Sequence, residues 1–439
     1  MSVSTESTNA WTRRFPAFES VDYRRLFLSN SFAAASAWML ILARGWLVFD
    51  LSDSTTAVGI VVFAGMIPLA IVGPIAGALA DRFDRRRLAM FAPAFGVAVQ
   101  LALAALTLSG AVEVWHVITL AAIGGAAASA GTPALDAILP SLLRSRDHLL
   151  NGVALAGIAR HGSRLIGPSF GAAMLATAGV GYAFVLAAGF LALSFWQLYR
   201  IEFRPSEGAT PATAIRTPLW RSLLSDLADG GAYIARDPRL MLIVVLVMLH
   251  CGLTMAFDSM MPTLATMVGG ASNVYGAIIV GIGIGAVAGT IWLSVLGNTP
   301  VKGGALAVAG VGSGMSMVIL GLATNPATAV AGAILAGASQ SAFVVLLTTF
   351  LQEVTPDEYR GRVLSIYSMV AVGHMAVLNF GFGWIADGAG VRLLLIAPGV
   401  LWVALFVAGA VMLPELRHVL RRGDFRPRAV ALEAASGGR

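Results

Sequence analysis

The chain has 439 residues, of which 57% are hydrophobic and only 12% charged, with a mean hydropathy of +0.81. Soluble domains carry about 25% charged residues, so a water-soluble enzyme is excluded and a polytopic membrane protein is expected. The net charge of +6 does not mark a nucleic-acid partner, because the basic residues are scattered over short turns rather than gathered in one patch. A single cysteine, Cys251, excludes an internal disulfide and a cysteine metal cluster.

In chain order, residues 1–25 read as a polar cytoplasmic segment. They hold no apolar h-region and no cleavage site before Phe15-Pro16-Ala17-Phe18-Glu19, so the first spanning helix is expected to serve as the targeting signal. Apolar runs long enough to cross about 30 Å of hydrocarbon then predict twelve helices. The first six are Leu26–Phe49, Val58–Ala80, Leu88–Leu108, Trp115–Leu139, Val153–Ala178 and Gly181–Leu198, forming a bundle over 26–198. A cytoplasmic segment, 199–239, follows. Its Pro205–Pro211 stretch reads as a linker. Leu219, Trp220, Leu223, Leu224 and Leu227 then recur at helical spacing around Arg221 and Asp226. Such a helix either lies in the membrane interface or packs on the inner ends of the bundle. The second bundle, 240–413, comprises Leu240–Met261, Tyr275–Leu296, Gly304–Ala323, Ala327–Phe350, Leu364–Ala386 and Leu393–Leu413, and 414–439 form a cytoplasmic tail.

Basic residues test that count. With the N-terminus inside, all but four of the 29 lysines and arginines fall on one side; the exceptions are Arg44, Arg160, Arg164 and Arg392. The densest turn is Asp81-Arg82-Phe83-Asp84-Arg85-Arg86-Arg87, and no helix holds such a run in lipid at about 2.5 kcal/mol or more per arginine. By the positive-inside rule this turn and both termini face the cytoplasm of the plasma (cell inner) membrane. Sliding the chain by 210 residues places Asn151-Gly152-Val153 on Gly361-Arg362-Val363 and Gly171 on Gly381. Two six-helix bundles related by a parallel repeat are the plan of a rocking transporter with its site near the midplane.

The turn resembles the Gly-x-x-x-Asp-Arg-x-x-Arg-Arg signature of the major facilitator superfamily, through Gly77, Asp81, Arg82, Arg85 and Arg86. Asp84 departs from it, since the family has glycine there, and Gly297-Asn298-Thr299-Pro300-Val301-Lys302 is a degraded second-half counterpart. Three further stretches resemble the enterobactin-exporter-like branch, the transmembrane secretion effectors. These are Ala43–Leu51, Pro133–Pro140 continuing to Asn151 and Arg164–Gly171, and Gln352–Val363. The resemblance implies an all-α fold of twelve transmembrane helices and a gating turn in which Asp81 caps the eleventh helix near Gly361 and Arg362 in one state. It also implies export of siderophores, macrolides or other amphiphiles. Gly167, Pro168 and Gly171 match part of the antiporter motif of drug exporters, read physically as close helix contact with a proline kink.

Ionisable residues inside spans are candidates for function. Asp136 and Arg160, near the inner ends of helices four and five, read as a structural pair bracing the inner mouth or as substrate contacts. Arg160 and Arg164 share a helical face, and Arg164 is assigned to the cavity or to a structural role. Arg44 either snorkels outward toward Asp50 or lines the cavity. His250 and Asp258, eight apart on helix seven, are candidates for proton coupling, as is His374; hydrogen-bonded packing is the alternative for both histidines and the favoured role of His161. Gln340, Ser341 and Asn30 either line the path or bridge helices. Three embedded arginines against two aspartates leave the interior at +1, which favours an anionic or amphiphilic cargo.

No phosphate-binding Gly-x-x-x-x-Gly-Lys motif occurs and the one lysine, Lys302, is followed by glycines, so neither ATP nor another cofactor is expected. The sequence thus predicts a monomeric, non-enzymatic secondary transporter exchanging a small molecule for protons across the bilayer. Uptake of a small metabolite, or a non-transporting sensor or scaffold, are the alternatives.

Overall fold

A computed structural model describes residues 15–80, 84–202, 219–296 and 301–427. Asp81 and Arg82 lie outside it, as do the side chains of Arg85, Asp136 and His161. All regular structure in the described residues is helical, as lipid demands of a backbone that must satisfy its own hydrogen bonds. The first half holds α1 (Val21–Ser52), α2 (Thr55–Ala80), α3 (Arg85–Leu108), α4 (Val114–Ile138), α5 (Leu149–Thr177) and α6 (Val180–Tyr199). A surface helix, α7 (Leu219–Arg236), precedes α8 (Pro238–Thr254) and the short α9 (Met261–Met267). Then come α10 (Ser272–Val295), α11 (Val301–Leu322), α12 (Pro326–Val354), α13 (Asp357–Ala389), α14 (Val391–Met412) and α15 (Pro414–Arg422).

Among the described residues eleven segments are long and apolar enough to span. The twelfth span is α5, whose 29 residues carry Arg160, His161 and Arg164 and so fall short on hydropathy while still packing along α1 and α10. The seventh span is not the continuous helix Leu240–Met261 that its apolar run predicts. It breaks after Thr254, passes through a 3-10 turn at Asp258–Met260, and resumes as α9.

Packing obeys a twofold rule. In the first half α1 packs on α5 and α6, α2 on α4, and α3 on α4 and α6; in the second the α8–α9 span packs on α13 and α14, α10 on α12, and α11 on α12 and α14. Glycine makes the closest of these contacts: a Cβ at Gly285 on α10 would overlap the Ile334 carbonyl of α12, and one at Gly125 on α4 the Gly65 carbonyl of α2. The halves meet through α2 on α13 and α5 on α10.

The basic turn ends at Asp84, which caps α3 by accepting a hydrogen bond from the Arg86 amide at 2.9 Å. With φ at −58°, position 84 needs no glycine, and a carboxylate there satisfies an amide that the helix start leaves open. Arg86 Nη2 donates to the Tyr199 carbonyl at 3.0 Å, and Arg25 Nη1 to the Arg200 carbonyl at 2.5 Å. Two topology-setting arginines therefore also cap the C-terminus of α6, where the helix dipole favours cations. On the same face α7 packs against α2, α8 and α13. Its Asp226 pairs with Arg362 at 3.0 Å, and Tyr233 stacks on Tyr359 with centroids 4.2 Å apart. Arg392, at the other face, donates to the Gly321 carbonyl at the end of α11 at 3.2 Å.

Candidate transport pathway

At the face opposite the basic turn the halves are sealed. Asp387, in the last turn of α13, accepts four hydrogen bonds from the first turn of α2. Ser54 Oγ donates at 2.8 Å, the Thr55 amide at 2.8 Å, the Thr56 amide at 3.0 Å and Thr56 Oγ1 at 2.6 Å. A carboxylate at a helix C-terminus opposes its own helix dipole. Here it serves instead as the N-cap of a helix in the other half. Thr55 and Thr263 hydroxyls meet at 2.8 Å, Gly383 lies against the Thr55 carbonyl, and Trp46 stacks on Tyr275 at 6.0 Å.

Just beneath this seal the broken seventh span puts polar groups in the protein interior. The freed Thr254 carbonyl accepts from Gln340 Nε2 of α12. Asn379 of α13 holds the other side of the break: its Oδ1 accepts from the Ser259 amide at 3.1 Å and its carbonyl from Ser259 Oγ at 3.0 Å. Gln340 Oε1 and Asn379 Nδ2 are buried with no partner at hydrogen-bond distance. Asp258 starts the 3-10 turn and interacts electrostatically with Arg164 of α5. The Arg164 guanidinium sits 4.7 Å from the Trp38 ring centroid, a cation–π contact that steadies it. Arg164 and Asp258 thus lie within electrostatic reach of each other, one in each half.

Toward the basic face α5 and α10 part, while α7 packs on both α2 and α13. On α5 the stripe that touches α10 runs through Ala172 and Leu165 and continues at Ile158, which is 59% exposed. Its counterpart on α10 runs through Gly276 and Gly283 to an exposed Ser294. On α1, Asn30, Ala34, Ala37, Ile41 and Arg44 recur at helical spacing. Ala37 is exposed and the other four are half-buried, so this stripe follows the opening. Arg44, at its far end, donates from Nη2 to Gln100 Oε1 of α3 at 3.3 Å.

The remaining candidates are placed elsewhere. His250 is fully buried inside the second half, with Nε2 3.0 Å from Ser313 Oγ, its ring stacked on Phe343 at 4.3 Å and edge-on to Trp402. His374, half-buried on α13, packs on Gly252, and Ser341 donates to the Ala286 carbonyl at 3.1 Å. Arg160 is exposed. Gly167 and Gly171 face α1, where a Cβ would overlap the Ala35 carbonyl or crowd Met39. Gly361 has open space around it and Gly77 lies within α2. Among the described residues no three histidine, cysteine, aspartate or glutamate side chains converge on a metal-sized site. Asp387, Asn379 and Gln100 escape a reading of the sequence, as does the Arg362 partner of Asp226. One signal for the first exists: an acid in the last turn of a spanning helix, matched by Ser54-Thr55-Thr56, three cap-forming residues, ahead of α2.

The family model described as transmembrane secretion effector matches residues 12–436. The multidrug efflux pump Tap of Mycolicibacterium fortuitum is 25% identical over 397 residues, covering 88% of this chain and 94% of its own. The enterobactin exporter EntS of Citrobacter koseri is 24% identical, over 79% and 80% of the two chains. Among solved structures, a D-xylose–proton symporter superposes with a TM-score of 0.67 at 17% identity, covering 91% of this chain and 99% of its own. A POT family transporter in complex with 5-aminolevulinic acid gives 0.69 at 13%, over 90% and 97%; likeness at that identity concerns the fold.

Proposed function

Since the chain belongs to the transmembrane secretion effector family of major facilitator transporters, we propose that it exports small amphiphilic or anionic compounds of drug or siderophore type in exchange for protons. The names of its relatives, a multidrug efflux pump and an enterobactin exporter, support efflux. Orientation rests on the positive-inside rule: the arginine-rich face is cytoplasmic, so the opening described above admits cargo from the cell interior. Alternating access then requires the Asp387 seal to part while the cytoplasmic ends close.

The observation that carries the coupling is that Arg164 and Asp258, embedded in opposite halves, lie within electrostatic reach of each other. Asp258 is the acid exchanged with the proton. A cargo that donates a hydrogen bond to its carboxylate competes with a proton for that carboxylate, and mutual exclusion at one group is what antiport needs. Arg164, a permanent cation in the other half, is the counter-charge left to Asp258 once the proton leaves. Arg44 and Arg164 against Asp258 leave this part of the pathway positive, which suits an amphiphile with an acidic group.

Uptake of a panel of amphiphilic drugs and siderophores into inside-out vesicles tests this. Accumulation driven by an acidic vesicle lumen and lost when the gradient collapses is expected; Asp258→Asn should abolish the gradient dependence. Transport indifferent to the gradient would remove the coupling, and no transport of any panel member would remove the exporter reading.

A further inference from the structure

A guanidinium stays charged in a protein, and one held inside the membrane needs a counter-charge or water. Arg44 has neither a carboxylate within ion-pair distance among the described residues nor a full set of acceptors. Its one hydrogen bond goes to the neutral amide oxygen of Gln100 at 3.3 Å, and its Nε is buried with no partner. Asp50, the acid nearest in sequence, is exposed at the end of α1. Gln100 is itself 2% exposed, a fixed orienting group rather than a mobile one. On the third side stands Gly124 of α4, where a Cβ would sit 3.5 Å from Arg44 Nη2 and next to Gln100. A methyl there would lie in van der Waals contact with the guanidinium, and the glycine leaves that space beside it unfilled. The stripe of half-buried Asn30, Ala34 and Ile41 with exposed Ala37 leads from the basic face to this point.

From this arrangement we propose that Arg44, oriented by Gln100 and with the space at Gly124 unfilled beside it, is an anion subsite that takes the carboxylate, sulfonate or phosphate of the transported compound. The guanidinium offers its free donors to two oxygens at once, a fit that a carboxylate meets and an amide does not. The apolar body of the same molecule lies along the alanine stripe of α1. The subsite is in the first half, apart from the Arg164–Asp258 pair, so cargo with an acid at one end and a hydrogen-bond donor at the other engages both. This inference rests on the exporter reading for its cargo but not for its binding.

The probes are 2-naphthoate and 2-naphthamide, alike in shape and different in charge. Their affinities are measured on the full chain in lipid nanodiscs by quenching of tryptophan fluorescence. Wild type should prefer the acid by about tenfold, the range of a charge-assisted pair over a neutral one. Gln100→Glu places a carboxylate beside Arg44 and should bring the preference to within about twofold. Arg44→Gln should do the same. Equal affinities in wild type, a preference that survives Gln100→Glu, loss of both probes in Gln100→Glu, or no binding of either probe at millimolar concentration would each overturn the subsite. Failure of vesicle transport with the acid preference intact would remove the exporter reading and leave the subsite standing.

Discussion

Single side chains decide which end of this protein is shut. Asp387 takes four hydrogen bonds from the start of α2, yet it is exposed, so its contribution is that of a helix cap, about 1 kcal/mol. Asp387→Ala should therefore move the open–closed equilibrium about fivefold toward the state open at its face. A cysteine at Ile158 reports this, because Ile158 is exposed in the present state and the native Cys251 is buried. Its labelling by an impermeant thiol reagent from the basic side should slow in the variant; unchanged labelling would show that the cap does not set the balance. Arg164→Ala is expected to impair transport with membrane level unchanged, whereas loss of the protein from the membrane would mark the residue as structural. The candidates Arg44, Arg164 and Asp258 were legible in the sequence because charge in an apolar run stands out. Their partners were not. Gln100, Asn379 and Asp387 are ordinary polar residues until packing brings them from tens or hundreds of positions away.

At the scale of helices the seventh span is the informative case. Its residues form one apolar run with nothing between Leu253 and Phe257 that forbids a helix, and the break becomes tolerable because Gln340 and Asn379 receive the polar backbone that it frees. No periodicity argument reaches that far. Gln340→Leu leaves the Thr254 carbonyl unpaired in an apolar surrounding and should destabilise by about 1–3 kcal/mol, read as a lower melting temperature in detergent; Gln340→Glu should be no milder, because an ionised carboxylate accepts hydrogen bonds and cannot donate to that carbonyl. The α1–α5 contact gives the converse test. Gly167→Ala places a methyl against the Ala35 carbonyl and should force these helices apart, lowering thermal stability by about 1–3 kcal/mol. Gly361→Ala, in open space, is its control. Helix five was read from length despite its charges, and those charges are also why it scores poorly as a span.

On the scale of the molecule the count of crossings and the repeat were the most legible features, since both follow from composition and from where arginines can sit. Reporter fusions after Asp84 and after Gly423 should both report a cytoplasmic location and fusions after Gly110 and Gly390 the opposite one; a mismatch would overturn the orientation. What the sequence left open was the conformation, because the same twelve spans serve a protein open on either face. That choice lies in contacts between the halves, of which the seal around Asp387 is the clearest.

The seal sits at the water's edge, a layer of alcohols, amides and one carboxylate lying over apolar side chains packed from both halves. Small polar clasps of this kind exchange readily with solvent, so unlatching this outer layer trades one set of hydrogen bonds for another. On the proposed orientation, with the arginine-bearing face in the cytosol, the resting transporter waits like an uncovered cup toward the compartment from which it loads.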